Sequence, residues 1–146
     1  MNGNGHAVDA STFEGLALAG NATITLVNKA DGERFTYRIR QKKGADFWFV
    51  SVLSGSDNTG DYRYLGCLPN GGRFCPAKAG KGVAAKATSS RAFAYVWGNR
   101  RAPWLGQHIE VWHEGKCCRC GRKLTVPTSI ATGLGPHCAA HVEGAA

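Results

Sequence analysis

The chain has 146 residues, of which 43% are hydrophobic and 19% charged, with a formal net charge of +8. This composition excludes a wholly disordered protein, and no apolar run approaches the roughly 18 residues that span a bilayer. The charge is lopsided: residues 1–72 hold seven basic and seven acidic side chains, whereas residues 73–146 hold eleven and three, with seven basic and no acidic residues between Arg73 and Arg101. Such asymmetry points to a polyanionic partner, nucleic acid first and an acidic protein or membrane surface second.

Residues 1–10 (MNGNGHAVDA) carry neither the basic patch nor the apolar stretch of a secretory signal and read as a disordered tail ahead of an intracellular protein. Ser11-Thr12-Phe13-Glu14 fits a capping box, and Gly20 a stop, so Thr12–Ala19 is expected to be a short helix. From Ala22 the apolar period changes to two. Thr23–Asn28 and Arg34–Arg40 read as strands joined by the turn Ala30–Glu33, with Phe35, Tyr37 and Ile39 opposite Arg34, Thr36, Arg38 and Arg40. Phe47–Leu53 (FWFVSVL) is apolar on both faces and is expected to be a central strand. Ser54–Gly60 turns the chain into Asp61–Leu68, and Arg73–Cys75 can pair back as a short fifth strand after the turn Pro69–Gly72. Residues 76–88 are small, basic and aperiodic and read as a loop; Ser89 or Ser90 can cap a helix to Trp97 whose Phe93 and Trp97 share one face. A last strand, Gln107–Trp112, feeds a cysteine-rich tail. The expected class is therefore α+β, an antiparallel sheet of four to five strands with a covering helix over residues 11–112, followed by a small zinc-knuckle module over residues 113–146.

The tail carries the chemistry. Cys117-x2-Cys120-Gly121 has the spacing with which two thiolates reach one zinc ion, and Cys138, after seventeen intervening residues, suits a returning segment. Zinc favours sulfur and imidazole in a closed tetrahedron, so three cysteines and one histidine form the natural set for one structural ion. Residue spacing leaves His113, His137 and His141 open as the fourth ligand, His137 being disfavoured because it adjoins Cys138. No βαβ pattern surrounds the cysteines to favour a redox dithiol.

The frame Cys117-x2-Cys120-Gly121-Arg122-x-Leu124, Pro127-x-Ser129-Ile130 and Gly133-x-Gly135-Pro136-x-Cys138 resembles an uncharacterised zinc-binding domain family that recurs in phage, plasmid and bacterial proteins. Upstream segments, including Phe35-Thr36-Tyr37, Trp48-Phe49-Val50-Ser51 and Val111-Trp112-His113, look like short members of that group. The resemblance implies Cys117, Cys120 and Cys138 as ligands with His113 as the fourth, a protein of phage or mobile-element type, and the cytoplasm of a bacterial host cell. It implies no activity.

Catalysis is not expected. His108-Ile-Glu110 ahead of Cys117-x2-Cys120 has a superficial likeness to the zinc deaminase signature, but only six residues separate Glu110 from Cys117, and Cys138 would close the coordination sphere. Two functions remain. In the first, nucleic acid, DNA or RNA, is bound by a basic surface drawn from Arg34, Arg38 and Arg40 on one strand face, Lys78, Lys81 and Lys86 in the loop, and Arg119, Arg122 and Lys123 around the cysteines, with Tyr62, Tyr64, Trp48 and Trp104 as candidate stacking surfaces. In the second, a zinc-stapled module binds or inhibits a host or defence complex.

Overall fold

In a computed structural model of the chain, residues 5–54, 61–124, 127–135 and 138 are described. Seven strands form one antiparallel sheet in the order β1-β7-β2-β3-β4-β5-β6. They are β1 (His6–Val8), β2 (Asn21–Asn28), β3 (Arg34–Gln41), β4 (Phe47–Leu53), β5 (Tyr62–Pro69), β6 (Cys75–Pro76) and β7 (Ile109–His113). The helices are α1 (Phe13–Ala17), α2 (Thr88–Gly98), α3 (Leu105–His108) and α4 (Pro127–Thr132). The α+β class holds, and the β2–β5 meander lies where the period-two pattern puts it. The strand count exceeds the expected four to five. His6–Val8, within the stretch read as a tail, becomes a strand by pairing with β7, which itself lies between β1 and β2.

One face of the sheet is buried. Ile24 and Leu26 of β2, Tyr37 and Ile39 of β3, Trp48, Val50 and Val52 of β4, and Leu65 and Leu68 of β5 join Phe13 and Leu16 of α1 and Phe93, Val96 and Trp97 of α2 in one core. Phe93 and Trp97 lie parallel at 6.0 Å, as their spacing predicts, and Phe93 meets Tyr37 at 5.1 Å and Phe74 at 4.9 Å. Each such ring withdrawn from water stabilises the fold by about 1.5–3 kcal/mol. The Tyr37 hydroxyl donates to Ser89 O (2.7 Å), and Trp97 Nε1 donates to Gly72 O (2.6 Å), so the helix is also pinned by hydrogen bonds.

The helix ends differ from expectation. Asp9, rather than Ser11, opens the first helical segment: its Oδ1 accepts from Ser11 N (2.9 Å), and residues Ala10–Thr12 form a 3-10 turn before α1. Glu14 cannot complete a capping box because its carboxylate is held by Arg100 Nε (2.8 Å) and by Arg101 Nε and Nη2 (both 2.9 Å). At α2 neither serine caps. Ala87 occupies the N-cap without a side-chain bond, and the buried Ser90 hydroxyl has no partner. Residues 77–87 hug the sheet, Ala77 N donating to Leu65 O (2.9 Å) and Val83 N to Tyr64 O (2.8 Å), while Val83 enters the core.

The second face of the sheet is open around Arg40 and Phe49, both exposed, while Thr25 is buried and Arg38, Ser51, Tyr62 and Tyr64 are half-buried. Register places Asn21, Arg40, Phe49 and Cys67 in one row and Thr23, Arg38, Ser51 and Tyr64 in the next. β4 is central, as expected, yet it is not buried on both faces: Trp48, Val50 and Val52 are covered, whereas Phe49 is 41% exposed. No described helix is long and apolar enough to cross a membrane.

Candidate functional site

β7 delivers the chain from the sheet into the cysteine segment. The backbone turns back on itself there: Leu124 N donates to Gly115 O (2.7 Å), Cys117 N to Arg122 O (2.8 Å) and Gly121 N to Cys117 O (2.8 Å), with a bridge between Lys116 and Lys123. This loop and the later segment bring Cys117, Cys120 and Cys138 together, their sulfurs all within 4.8 Å of one another. Three thiols at that separation can bind a single metal ion; zinc–sulfur bonds of ~2.3 Å set tetrahedral ligands about this far apart. Cys117 and Cys138 are buried and Cys120 is exposed.

The surroundings favour the thiolate at Cys117 and oppose it at Cys138. Burial opposes ionisation of Cys117, but the backbone amides of Gly135, Cys120 and Arg119 and the Cys120 side chain outweigh it and bring that thiol down to about 7. Burial raises the Cys138 thiol; Arg119 opposes this with a guanidinium N–H donated to its sulfur at 3.4 Å, while the Cys117 and Cys120 thiols push the same way as burial. Amides and a cation aimed at sulfur are what a deprotonated, metal-binding thiolate requires.

His113 is not part of this cluster. The resemblance points to it as fourth ligand, but the ring is 1% exposed and both nitrogens are engaged: Nδ1 accepts from Gly115 N (2.9 Å) and Nε2 donates to Ile130 O (2.5 Å). The physical reason is the strand it sits on. His113 is in register with Ile24, whose side chain is on the buried face, so its ring lies under the sheet against His6, with the ring centroids 5.3 Å apart. Burial accordingly lowers its pKa and favours the neutral ring. His137 and His141 lie outside the described residues.

Cys118 belongs to the main core rather than to the cluster. It is 1% exposed, its thiol is pushed up to about 12 by burial, and its backbone ties the loop down: Asn21 N donates to Cys118 O (2.7 Å) and Cys118 N to Gly133 O (2.9 Å). His108 and Glu110 also stand apart, His108 against the Trp104 ring at 5.3 Å and Glu110 accepting from Trp112 Nε1 at 3.3 Å.

The sequence-predicted basic residues are dispersed. Arg34, Arg38 and Arg40 line β3 on the open face, and none has a carboxylate within ion-pair distance among the described residues; the ion pairs there join Glu14 to Arg100 and Arg101. The Arg38 guanidinium lies 3.9 Å from the Tyr62 ring centroid, its Nε is buried with no hydrogen-bond partner among the described residues, and burial together with Arg38 lowers Arg40 from its usual value. Arg122 and Lys123 are exposed beside Gly121, and Arg119 is turned toward Cys138. Lys78, Lys81 and Lys86 are exposed on the segment beyond β5 that Ala77 and Val83 tie to that strand.

One contact links the two regions. A Cβ at Gly121 would stand 2.8 Å from Asn21 Nδ2, so the cysteine loop abuts the Asn21 side chain, and Asn21 is the register partner of Arg40. The loop therefore adjoins one corner of the open face. Of the stacking candidates, Trp48 is buried in the core, Trp104 lies beside Tyr95 elsewhere, and Tyr62 and Tyr64 remain on the open face, half-buried. Phe49 was missed. Its alternation with Trp48 and Val50 was the available signal.

A family of unknown function, DUF6011, matches residues 112–143. The match covers the cysteine segment and the end of β7, and leaves β1 to β6 outside it. No curated protein and no solved structure matches the chain.

Proposed function

We propose that this chain is a non-enzymatic, zinc-stapled nucleic-acid-binding protein of phage or mobile-element type, with the cysteine loop acting as a zinc knuckle. Cys117, Cys120 and Cys138 hold one structural zinc ion, and His141, which forms a Cys-x2-His pair with Cys138, supplies the fourth ligand. Binding free energy of the ion becomes folding free energy for the loop.

The observation that carries the reading is the adjacency at Asn21. It brings the loop that carries the exposed Arg122 and Lys123 against Asn21, the register partner of Arg40, at one corner of the second sheet face. Guanidinium groups on a sheet with no carboxylate within ion-pair distance among the described residues suit phosphate oxygens, which arginine can contact bidentately. The test is a titration of zinc-loaded protein into labelled DNA and RNA over a range of salt. Affinity is expected to fall steeply, log K dropping by about 0.7–0.9 per phosphate contact for each decade of salt. Absence of binding at low salt contradicts the reading.

A second reading, docking of an inhibited host or defence complex, is favoured by a groove of about 860 Å³ between α2 and the β2–β3 hairpin. Phe35, Val96, Ile109 and Tyr95 line it, and the exposed Trp104 (36%) lies 6.5 Å from Tyr95 (53% exposed). A partner held there would bind with little dependence on salt.

A further inference from the structure

We infer that the open face of the sheet binds single-stranded nucleic acid by stacking an unpaired base on Phe49. This rests on the nucleic-acid reading above and goes further, to strandedness and to the residue that enforces it.

Phe49 is a large aromatic on the face that no described element covers, and its neighbours fix its ring. Phe47 lies edge-on at 5.1 Å and Tyr64 at 6.3 Å, leaving 41% of Phe49 open to solvent. The exposure is confined in a telling way: Phe49, Tyr95 and Trp104 are the exposed large hydrophobics among the described residues, and Phe49 alone sits among the β3 arginines. Arg40 is its register partner across the β3–β4 ladder, and Arg38 is the partner of the next same-face residue, Ser51. An apolar plate beside two guanidinium groups that have no carboxylate within ion-pair distance among the described residues matches a ligand with alternating flat bases and phosphates. Acidic Glu110 lies at the far side, on β7 beside Trp112, and Glu114, just beyond β7, is near enough to raise the Tyr62 phenol, so the complementary area is the part of the face around Arg40 and Phe49.

A duplex presents no base face to such a plate. Its bases are stacked on one another, and only phosphates and groove edges reach a flat sheet, whereas an unpaired base can lie on an aromatic ring while its flanking phosphates meet arginine. The ring of Phe49 thus selects single strands, and Arg38 and Arg40 supply sequence-independent attraction.

The experiment uses full-length, zinc-loaded protein with fluorescein-labelled oligo(dT), oligo(U) and a hairpin duplex, comparing the unaltered chain with Phe49→Ala, Phe49→Trp and Arg38→Ala/Arg40→Ala. Phe49 is exposed, so its replacement leaves the core intact, and an unchanged melting temperature verifies this. Single strands are expected to bind more tightly than the hairpin. Phe49→Ala is expected to weaken them by on the order of ten-fold, and Phe49→Trp to restore binding with quenching of the new indole by the oligonucleotide. If the hairpin binds as tightly as the single strands and Phe49→Ala changes nothing, while the arginine variant loses affinity, the stacking inference is overturned and the nucleic-acid reading stands. If none of the three ligands binds at low salt, both are overturned.

Discussion

The amide of Asn21 packs against Gly121 so closely that a Cβ there would stand 2.8 Å from Asn21 Nδ2, in a backbone conformation (φ 81°) that L side chains rarely adopt. This contact acts with the Asn21 N–Cys118 O hydrogen bond to hold the cysteine loop on the sheet, and it explains why this turn carries glycine. Gly121→Ala should destabilise the protein by about 1–2 kcal/mol from the left-handed conformation, with the clash added to it. Asn21→Ala should relieve the clash but not the backbone strain, so a thermal-melt double-mutant cycle should show the two substitutions to be non-additive.

Metal content separates the cysteines and histidines by role. Cys120→Ser should lose the bound zinc equivalent, measured by elemental analysis after gel filtration. Cys118→Ser should retain it while lowering the melting temperature, because a hydroxyl replaces a thiol buried in the core; an unbonded buried hydroxyl costs about 1–3 kcal/mol. His113→Ala should also keep the metal, since both ring nitrogens are already bonded to backbone, and should melt earlier; His141→Ala should weaken retention. Zinc affinity of the unaltered chain should fall as pH drops below about 7, where protons compete for Cys117.

Glu14 connects α1 to the segment after α2 through Arg100 and Arg101, and these hydrogen bonds hold its carboxyl below the usual 4.5, with burial opposing. A carboxylate whose folded pKa is depressed contributes stability above 4.5 and loses it as pH falls through the folded value. The pair is partly exposed, so the contribution is no more than about 1 kcal/mol. Urea denaturation of Glu14→Gln should show that loss at neutral pH, and the difference from the unaltered chain should vanish in strong acid.

What could be read from residue order follows from the range of the interactions. β4 was bounded to the residue and β3 to within one, because alternation is a local pattern and the buried face repeats it. The three cysteines were legible because two ligands on one turn impose a spacing. Glu14 was misassigned to a capping box because its partners lie 86 and 87 residues away. His6–Val8 is too short to carry a pattern and exists as a strand only through β7. His113 illustrates the same limit. The His-x3-Cys spacing says nothing about which side of the sheet the ring takes, and the register with Ile24 decides that.

The central claim is that the cysteine loop and the β3 arginines form one nucleic-acid surface. The most direct measurement is the affinity and salt slope of zinc-loaded Arg40→Ala, Arg122→Ala and their combination for labelled oligo(dT). The account predicts that each substitution weakens binding without a change in melting temperature, and that the salt slope falls by about 0.7 for each phosphate contact removed from a single strand. Unchanged affinity in the double variant would contradict it.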